Sequence, residues 1–191
     1  MVLLWSFELQ MTLQYDAHNV PWGVGFLSVS EMMQAMKRMR LSGHIVFSSD
    51  VFLSSDTNVI LLKDHHYIMR FQVRGSKTWY LFDSAGVDHC RTTLGVDYFD
   101  RFDGVKFVKR YQTPDSDYCG QFVLFMLSLA YNIKSDVSIL DAADNYLPNP
   151  VANQFLMVLF TCKLHIGEEF DADDSRYESV QHMLKYTQSL I

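Results

Sequence analysis

The chain has 191 residues, 49% hydrophobic and 20% charged, which is the composition of an ordered globular protein and argues against intrinsic disorder. At roughly 100–200 residues per domain, this length predicts one domain spanning residues 1–191. The formal charge of −6 argues against tight non-specific binding to nucleic acid, because such binding depends on Lys and Arg side chains that neutralise phosphates.

Neither a targeting segment nor a membrane span is predicted. The first ten residues carry no positive charge and include Glu8, so they make a poor signal peptide. The longest apolar runs, residues 122–130 and 155–162, are much shorter than the ~20 residues that span a bilayer. We therefore expect a soluble protein that is not secreted.

The first predicted helix starts at Ser28, which has the spacing of a capping box with Glu31. Gly43 is the expected stop signal. Between them, apolar residues recur at helical spacing and predict one buried face, formed by Met32, Ala35, Met36 and Met39.

A β-rich region follows this helix. Residues 66–73 alternate between apolar and polar, which predicts a strand with one buried and one polar face. The turn sequence RGSK (74–77) joins this strand to residues 78–83, so the two strands should form an antiparallel hairpin. Further strands are predicted at residues 44–47, 58–62 and 105–111.

The last third of the chain is predicted to be helical. Residues 120–132 are apolar on nearly every side, which is typical of a helix buried within a domain. Asn149-Pro150 supplies an N-cap and a first-turn proline for a helix to about residue 164. Ser175 and Glu178 form a capping box for a C-terminal helix. This order predicts an α+β fold, a mixed β-sheet with a central buried helix and flanking helices.

Cys119 stands where a polar turn meets the buried helix. Asp115, Ser116 and Asp117 are good N-cap residues, so Cys119 should lie in the first helical turn. The unpaired N–H groups there and the helix dipole favour an anion, and the thiolate is the nucleophilic form of cysteine. The alternative is that Cys119 is simply a small buried hydrophobic residue.

A nucleophilic cysteine needs a base and an orienting group. His66 begins one arm of the predicted hairpin and Asp83 ends the other, so the pairing should bring them together across 17 residues of sequence. His65 is the alternative base, but neighbouring strand residues face opposite sides, and the spacing selects His66. Gln112 ends the strand before Cys119 and could donate its side-chain amide to a developing oxyanion.

A metal site is not predicted. The three cysteines have no CxxC spacing and are expected to be free thiols. The adjacent His-His and His-Cys pairs do not present ligands on one face and match no recognised metal motif. The residues considered for such a site are Asp64, His65, His66, Asp83, Asp88, His89 and Cys90.

Four patches together resemble the adenain-like cysteine proteases, the family of the adenovirus maturation protease, whose clan also contains the SUMO-specific proteases. They are His66-Tyr67, the segment SKTWYLFD ending at Asp83, Gln112, and YCGQFVLFML around Cys119. The resemblance is most specific in SKTWYLFD and in the position of Gln112, seven residues before Cys119. Residues 15–28 also resemble a family segment, so the similarity covers residues 15–133 in patches.

The resemblance implies an adenain-like fold and a thiol endopeptidase activity. Cys119 would attack the scissile carbonyl, His66 would act as general base and then general acid, and Asp83 would orient His66. Gln112 would line the oxyanion hole, and Tyr67 would lie in the substrate groove. Substrates would be viral capsid, core or scaffold precursors cut beside small residues such as glycine, as for the family's relatives in virophages and Polinton-like viruses.

The family also implies a location in the virion and the infected host cell. We expect the protein to be a monomer. Tyr67 replaces the family's usual Trp, and Asp83 replaces Glu. No cysteine lies near Arg101, where the family pairs with an activating peptide, and the acidic charge argues against a DNA activator. We therefore expect no cofactor. The alternatives are a protease for a ubiquitin-like modifier and a non-catalytic binding module on the same fold.

Overall fold

The computed structural model describes residues 26–133 and 138–165 of the chain. The predicted C-terminal helix at Ser175–Glu178 and most of the family-like segment 15–28 lie outside these residues. Within the described residues the helices, in chain order, are α1 (Val29–Arg38), α2 (Ser49–Ser54), α3 (Val87–Leu94), α4 (Val96–Arg101), α5 (Cys119–Asn132), α6 (Ile139–Tyr146) and α7 (Pro150–His165).

Five strands form one mixed sheet in the order β1-β2-β3-β4-β5. The pairs β1–β2 and β4–β5 are parallel, whereas β2–β3 and β3–β4 are antiparallel hairpins. The predicted α+β class is therefore confirmed. The strands are β1 (His44–Val46), β2 (Val59–Lys63), β3 (His66–Gln72), β4 (Trp79–Phe82) and β5 (Val105–Lys106).

Both faces of the sheet are covered. On one face, α5 packs against alternate residues of β3, namely Tyr67, Met69 and Phe71. Ile68 points to the other face and joins a second apolar cluster with Phe52 of α2, as well as Cys90 and Leu94 of α3 and Phe99 of α4. The predicted polar face of β3 is therefore wrong, because α2, α3 and α4, which the sequence patterns did not predict, bury it.

Arg70 shows how this buried face accommodates a charge. The residue is largely buried, and its guanidinium lies 3.6 Å from the centre of the Trp79 ring and donates a hydrogen bond to the carbonyl of Ser55. A long cationic side chain can cover apolar surface when its head group finds an aromatic face and an acceptor. The apolar/polar alternation in the sequence was therefore a poor guide to exposure here.

Two helices, α1 and α7, begin at the N-cap residues that the sequence predicts. Ser28 and Glu31 form the capping box, since each side chain accepts a hydrogen bond from the other's backbone N–H. Asn149 Oδ1 accepts from the N–H of Ala152 at 2.9 Å, so Asn149 caps α7 ahead of its first-turn proline. Helix α1, however, ends at Arg38, before the expected stop at Gly43.

The strand predicted at residues 105–111 is shorter than expected. Its ladder with β4 covers only Val105 and Lys106, because β4 ends at Phe82 and leaves few partners beyond that point. The chain still runs beside this edge, since the N–H of Tyr111 donates to the carbonyl of Ser84 at 2.8 Å. This contact fixes the path of the chain towards α5.

Helix α5 forms the centre of the first core. Nine of its fourteen residues are buried, and it packs against β3, α1 and α7. Truncating a fully buried side chain such as Phe122 to alanine should cost about 3–5 kcal/mol. In the described part of the chain, every helix is too short or too polar to cross a membrane.

Candidate active site

The β2–β3 turn places His66 at the end of the sheet. Asp64 and His65 form a two-residue turn between the paired residues Lys63 and His66, and both turn residues have positive φ, +50° and +58°. Turns of this kind match the twist of antiparallel strands. His65 is exposed in the turn, and its ring lies edge-on to Phe26, so His66 is the histidine that faces the interior.

Asp83 follows β4 at the same end of the sheet and is 1% exposed. Its carboxylate accepts three hydrogen bonds: Oδ1 accepts from His66 Nε2 at 2.7 Å and from the N–H of Ala85 at 2.8 Å, and Oδ2 accepts from His89 Nδ1 at 2.9 Å. Burial alone would raise the pKa of Asp83, but the bonds from His66 and His89 outweigh burial and hold the pKa below its usual value. The carboxylate is therefore an anion held between two imidazoles.

Cys119 is the first residue of α5 and is 2% exposed. The predicted cap is wrong in detail, because the N-cap residue is Tyr118, whose side chain makes no capping bond. Ser116 instead accepts a hydrogen bond from the N–H of Tyr118 at 3.2 Å. The thiol still lies at the positive end of a fourteen-residue helix, where backbone N–H groups have no helical acceptor.

His66 contacts both Asp83 and Cys119. Burial lowers the pKa of His66, but the hydrogen bonds to Asp83 and Cys119, together with the negative charges of those two groups, raise it to about 10. Because Nε2 donates to Asp83, Nδ1 is the nitrogen available to the Cys119 sulfur. The imidazole therefore connects the buried carboxylate to the thiol.

Gly120 explains why a glycine follows the cysteine. A Cβ atom at this position would lie 3.2 Å from the sulfur of Met32 and 3.3 Å from two carbons of Leu27. A larger residue at this position would therefore require the Met32 or Leu27 side chain to shift. The glycine lets the beginning of α5 approach these side chains closely.

Gln112 is buried near the start of α5, and its orientation is fixed at both ends of the amide. Oε1 accepts a hydrogen bond from the Ser84 hydroxyl at 2.6 Å, and Nε2 donates to the carbonyl of Ser116 at 3.4 Å. An amide nitrogen carries two hydrogens, so one remains for a further acceptor. Ser84 was not predicted from the sequence, because nothing in the pattern SKTWYLFDSAG marks it as a partner of Gln112.

Tyr67 is not on the surface. Its side chain is 0% exposed, its ring stacks on Phe26 at 5.4 Å, and its hydroxyl donates to the carbonyl of Leu27 at 2.9 Å. Its ring packs against Phe26, and the predicted contact between Tyr67 and substrate stays a prediction. Tyr67 anchors the segment that leads into α1 beside the site.

His89, which the sequence analysis considered only as a metal ligand, is a further residue of the site. The turn Asp83–Gly86 is closed by a hydrogen bond from the N–H of Gly86 to the carbonyl of Asp83, and α3 begins at the next residue, Val87. His89 therefore lies in the first turn of α3, next to the carboxylate. The start of α3 has no side-chain cap, so the sequence carried no signal for this helix.

The described residues contain one group that could hold a metal ion, His66, Asp83 and His89, whose ligand atoms lie within 4.8 Å of one another. The two ring nitrogens already donate to the carboxylate, so the observed geometry is that of a hydrogen-bonded chain. The expected absence of a metal stays a prediction.

We compared the sequence with models of known protein families and with curated proteins, and found no match in either comparison. The chemistry of the site therefore has to be inferred from its geometry and from the resemblance of its motifs. A thiol at a helix N-terminus, an imidazole in contact with it and a buried carboxylate that fixes the imidazole form a set suited to nucleophilic catalysis.

Proposed function

We propose that this protein is an adenain-like cysteine endopeptidase that processes capsid, core or scaffold precursors of a virus. The observation that carries the chemical part is the position of His66, whose ring bonds Asp83 at 2.7 Å and contacts Cys119. The viral part rests on the resemblance of the motifs around His66, Asp83, Gln112 and Cys119. Such an enzyme would act in the virion and the infected cell.

In the acylation step, the Cys119 sulfur attacks the scissile carbonyl and forms a carbon–sulfur bond. His66 holds the proton that the thiol has given up and transfers it to the leaving amine as the carbon–nitrogen bond breaks. The raised pKa of His66, about 10, supports this role as a proton carrier, because the ring stays protonated until the amine leaves. The product is a thioester on Cys119.

The carbonyl oxygen becomes an anion during this attack. The backbone N–H of Cys119 at the start of α5 and the second Nε2 hydrogen of Gln112 are the candidate donors to that oxygen. Ser84 contributes indirectly, since its hydroxyl holds the Gln112 amide in one orientation. Stabilising the anion lowers the barrier because the donors are already in place when the charge develops.

In the deacylation step, neutral His66 takes a proton from water, and the water oxygen attacks the thioester. The carbon–sulfur bond breaks, the acid product leaves, and the proton returns to the Cys119–His66 pair. Asp83 stays ionised throughout and keeps Nε2 of His66 as the donor, so that Nδ1 faces the sulfur.

The test combines an unbiased substrate search with an inactive control. The protein and its Cys119→Ala variant are each incubated with peptides from a digested proteome, and new peptide termini are read by mass spectrometry. We expect cuts beside small residues, with glycine enriched, in the wild type alone. Identical termini in both samples, or none with the wild type, would contradict the proposal.

A second arm addresses the substrate. Co-expression with a viral capsid precursor should yield discrete fragments that disappear with Cys119→Ala. If the capsid precursor stays intact while the protein releases the C-terminal peptide of a ubiquitin-like modifier, the endopeptidase chemistry stands and the viral substrate is wrong. The first experiment therefore tests the peptidase activity, and the second tests the identity of the substrate.

A further inference from the structure

We propose that His89 is a positioning residue that holds Asp83, and through it His66, in the geometry needed at Cys119. The inference rests on the proposed function, since it concerns the same site. It adds to Cys119, His66 and Asp83 a second imidazole, which reaches Oδ2 of the carboxylate from α3.

The hydrogen bonds of Asp83 show what His89 contributes. Oδ1 is shared by His66 and the N–H of Ala85, whereas His89 Nδ1 is the donor to Oδ2 at 2.9 Å. A carboxylate held at one oxygen alone can rotate about its Cβ–Cγ bond. Donors at both oxygens fix the plane of the group and therefore the direction in which Oδ1 meets His66.

The two imidazoles also touch each other. Their ring centres are 4.4 Å apart with an angle of 63° between the planes, so His89 packs edge-on against His66. The His89 side chain is 40% exposed, whereas Asp83 is 0% exposed in its side chain. His89 therefore lies between solvent and the buried pair, and it limits both the rotation of the His66 ring and the access of water to the carboxylate.

His89 is itself held in place from α3. Thr93 Oγ1 lies 3.4 Å from Nδ1 of His89, one helical turn further along. The backbone before α3 makes a tight turn at Gly86, whose φ is +94°. The ring is therefore aimed at Asp83 by the turn and by the first residues of the helix.

The experiment compares three variants of His89 by the alkylation rate of Cys119 with iodoacetamide near neutral pH, mapped by mass spectrometry. His89→Ala removes the donor. His89→Asn places an amide N–H where Nδ1 was, and His89→Gln places it at the Nε2 position. Since a hydrogen bond to a charged group is lost, we expect His89→Ala to react about 10-fold more slowly than the wild type.

The Asn and Gln variants make the test specific. We expect His89→Asn to recover most of the rate and His89→Gln to behave like His89→Ala, with similar melting temperatures for all three. If His89→Ala reacts at the wild-type rate, or if Asn and Gln restore it equally, the inference is wrong. If His89→Ala does not fold, the Asn and Gln pair still decides the question.

The design keeps the inference separate from the proposed function. If wild-type Cys119 reacts no faster than it does in His66→Ala, the proposed function fails. If the wild type reacts faster than His66→Ala and His89→Ala matches the wild type, the proposed function stands and the positioning role of His89 is wrong.

Discussion

Cys90 and Cys119 lie in helices on opposite faces of the same sheet and are equally buried, at 3% and 2% exposure. Cys90 belongs to α3 and has apolar neighbours, and burial together with the negative charge of Asp83 raises the pKa of its thiol. Cys119 begins α5 and contacts His66. Both thiols are thus buried, but Cys90 has apolar neighbours, whereas Cys119 contacts an imidazole at the start of a helix.

The comparison shows that an imidazole and a helix N-terminus, rather than low exposure, distinguish a candidate nucleophile from a structural thiol. The same carboxylate acts on both sides of the sheet. The negative charge of Asp83 adds to burial in raising the pKa of the Cys90 thiol, whereas towards Cys119 the same carboxylate accepts the hydrogen bond that holds His66. One buried anion therefore acts directly on one thiol and holds the imidazole that contacts the other.

The largest expected effect on cleavage comes from replacing each of the two cysteines separately by alanine. Cys119→Ala should lower the rate of peptide cleavage by about 10⁴-fold or more, because the nucleophile is lost. Cys90→Ala should leave the rate within about 2-fold, at a cost in stability of about 1–2 kcal/mol for a small buried cavity. The measurement is cleavage of the peptide found in the substrate search, with thermal melting as the control. Equal losses in the two variants would break the comparison.

Asp83→Ala should reduce cleavage by less than Cys119→Ala, by about 10²- to 10⁴-fold, because the nucleophile and the base survive. The matched control is Asp88→Ala, which removes an exposed carboxylate from the same helix turn as His89. This control should cleave at the wild-type rate. A full-rate Asp83→Ala enzyme would show that the carboxylate does not orient His66.

Gln112→Ala should lower kcat by about 10²- to 10³-fold with little change in KM, since an oxyanion donor acts only in the transition state. Ser84→Ala sharpens this prediction, because it leaves the amide in place and removes the hydroxyl that orients it. We expect a smaller loss, of about 10-fold, in steady-state kinetics. If Gln112→Ala changed KM alone, Gln112 would be a substrate-binding residue.

The last expected effect concerns stability rather than catalysis, and it is a dependence of the free energy of unfolding on pH. The pKa of His66 is raised from 6.5 to about 10 in the folded protein, so its contribution is complete below pH 6.5 and is lost as the pH rises towards 10. Over this interval the free energy of unfolding should fall more steeply in the wild type than in His66→Gln, by up to about 1.4 kcal/mol per pH unit. Urea unfolding across the interval measures this. Parallel curves for the two proteins would contradict the prediction.

Much of the site could be predicted from the sequence because its parts have strong local signals. The hairpin that carries His66 and Asp83 has a clear turn sequence, and the apolar run after Cys119 marks a buried helix. These signals depend on the chain near each residue and need no knowledge of tertiary packing.

Other features could not be predicted because they depend on tertiary contacts. Helices α2, α3 and α4 are short, and no side-chain hydrogen bond caps any of them, so neither periodicity nor caps marked them. Because these helices were not predicted, β3 was expected to be exposed on one face. For the same reason, the hydrogen bond between His89 and Asp83 was not predicted. The burial of Tyr67 under Phe26 and the bond between Ser84 and Gln112 likewise arise only from folding.

The central claim, that His66 links the Asp83 carboxylate to the Cys119 thiol, is tested most directly by titrating His66 with nitrogen-detected NMR. The account predicts a His66 pKa near 10 in the wild type and a clearly lower value in Cys119→Ser, since one of its two partners is weakened. A wild-type pKa near 6.5 that does not change in Cys119→Ser would contradict it.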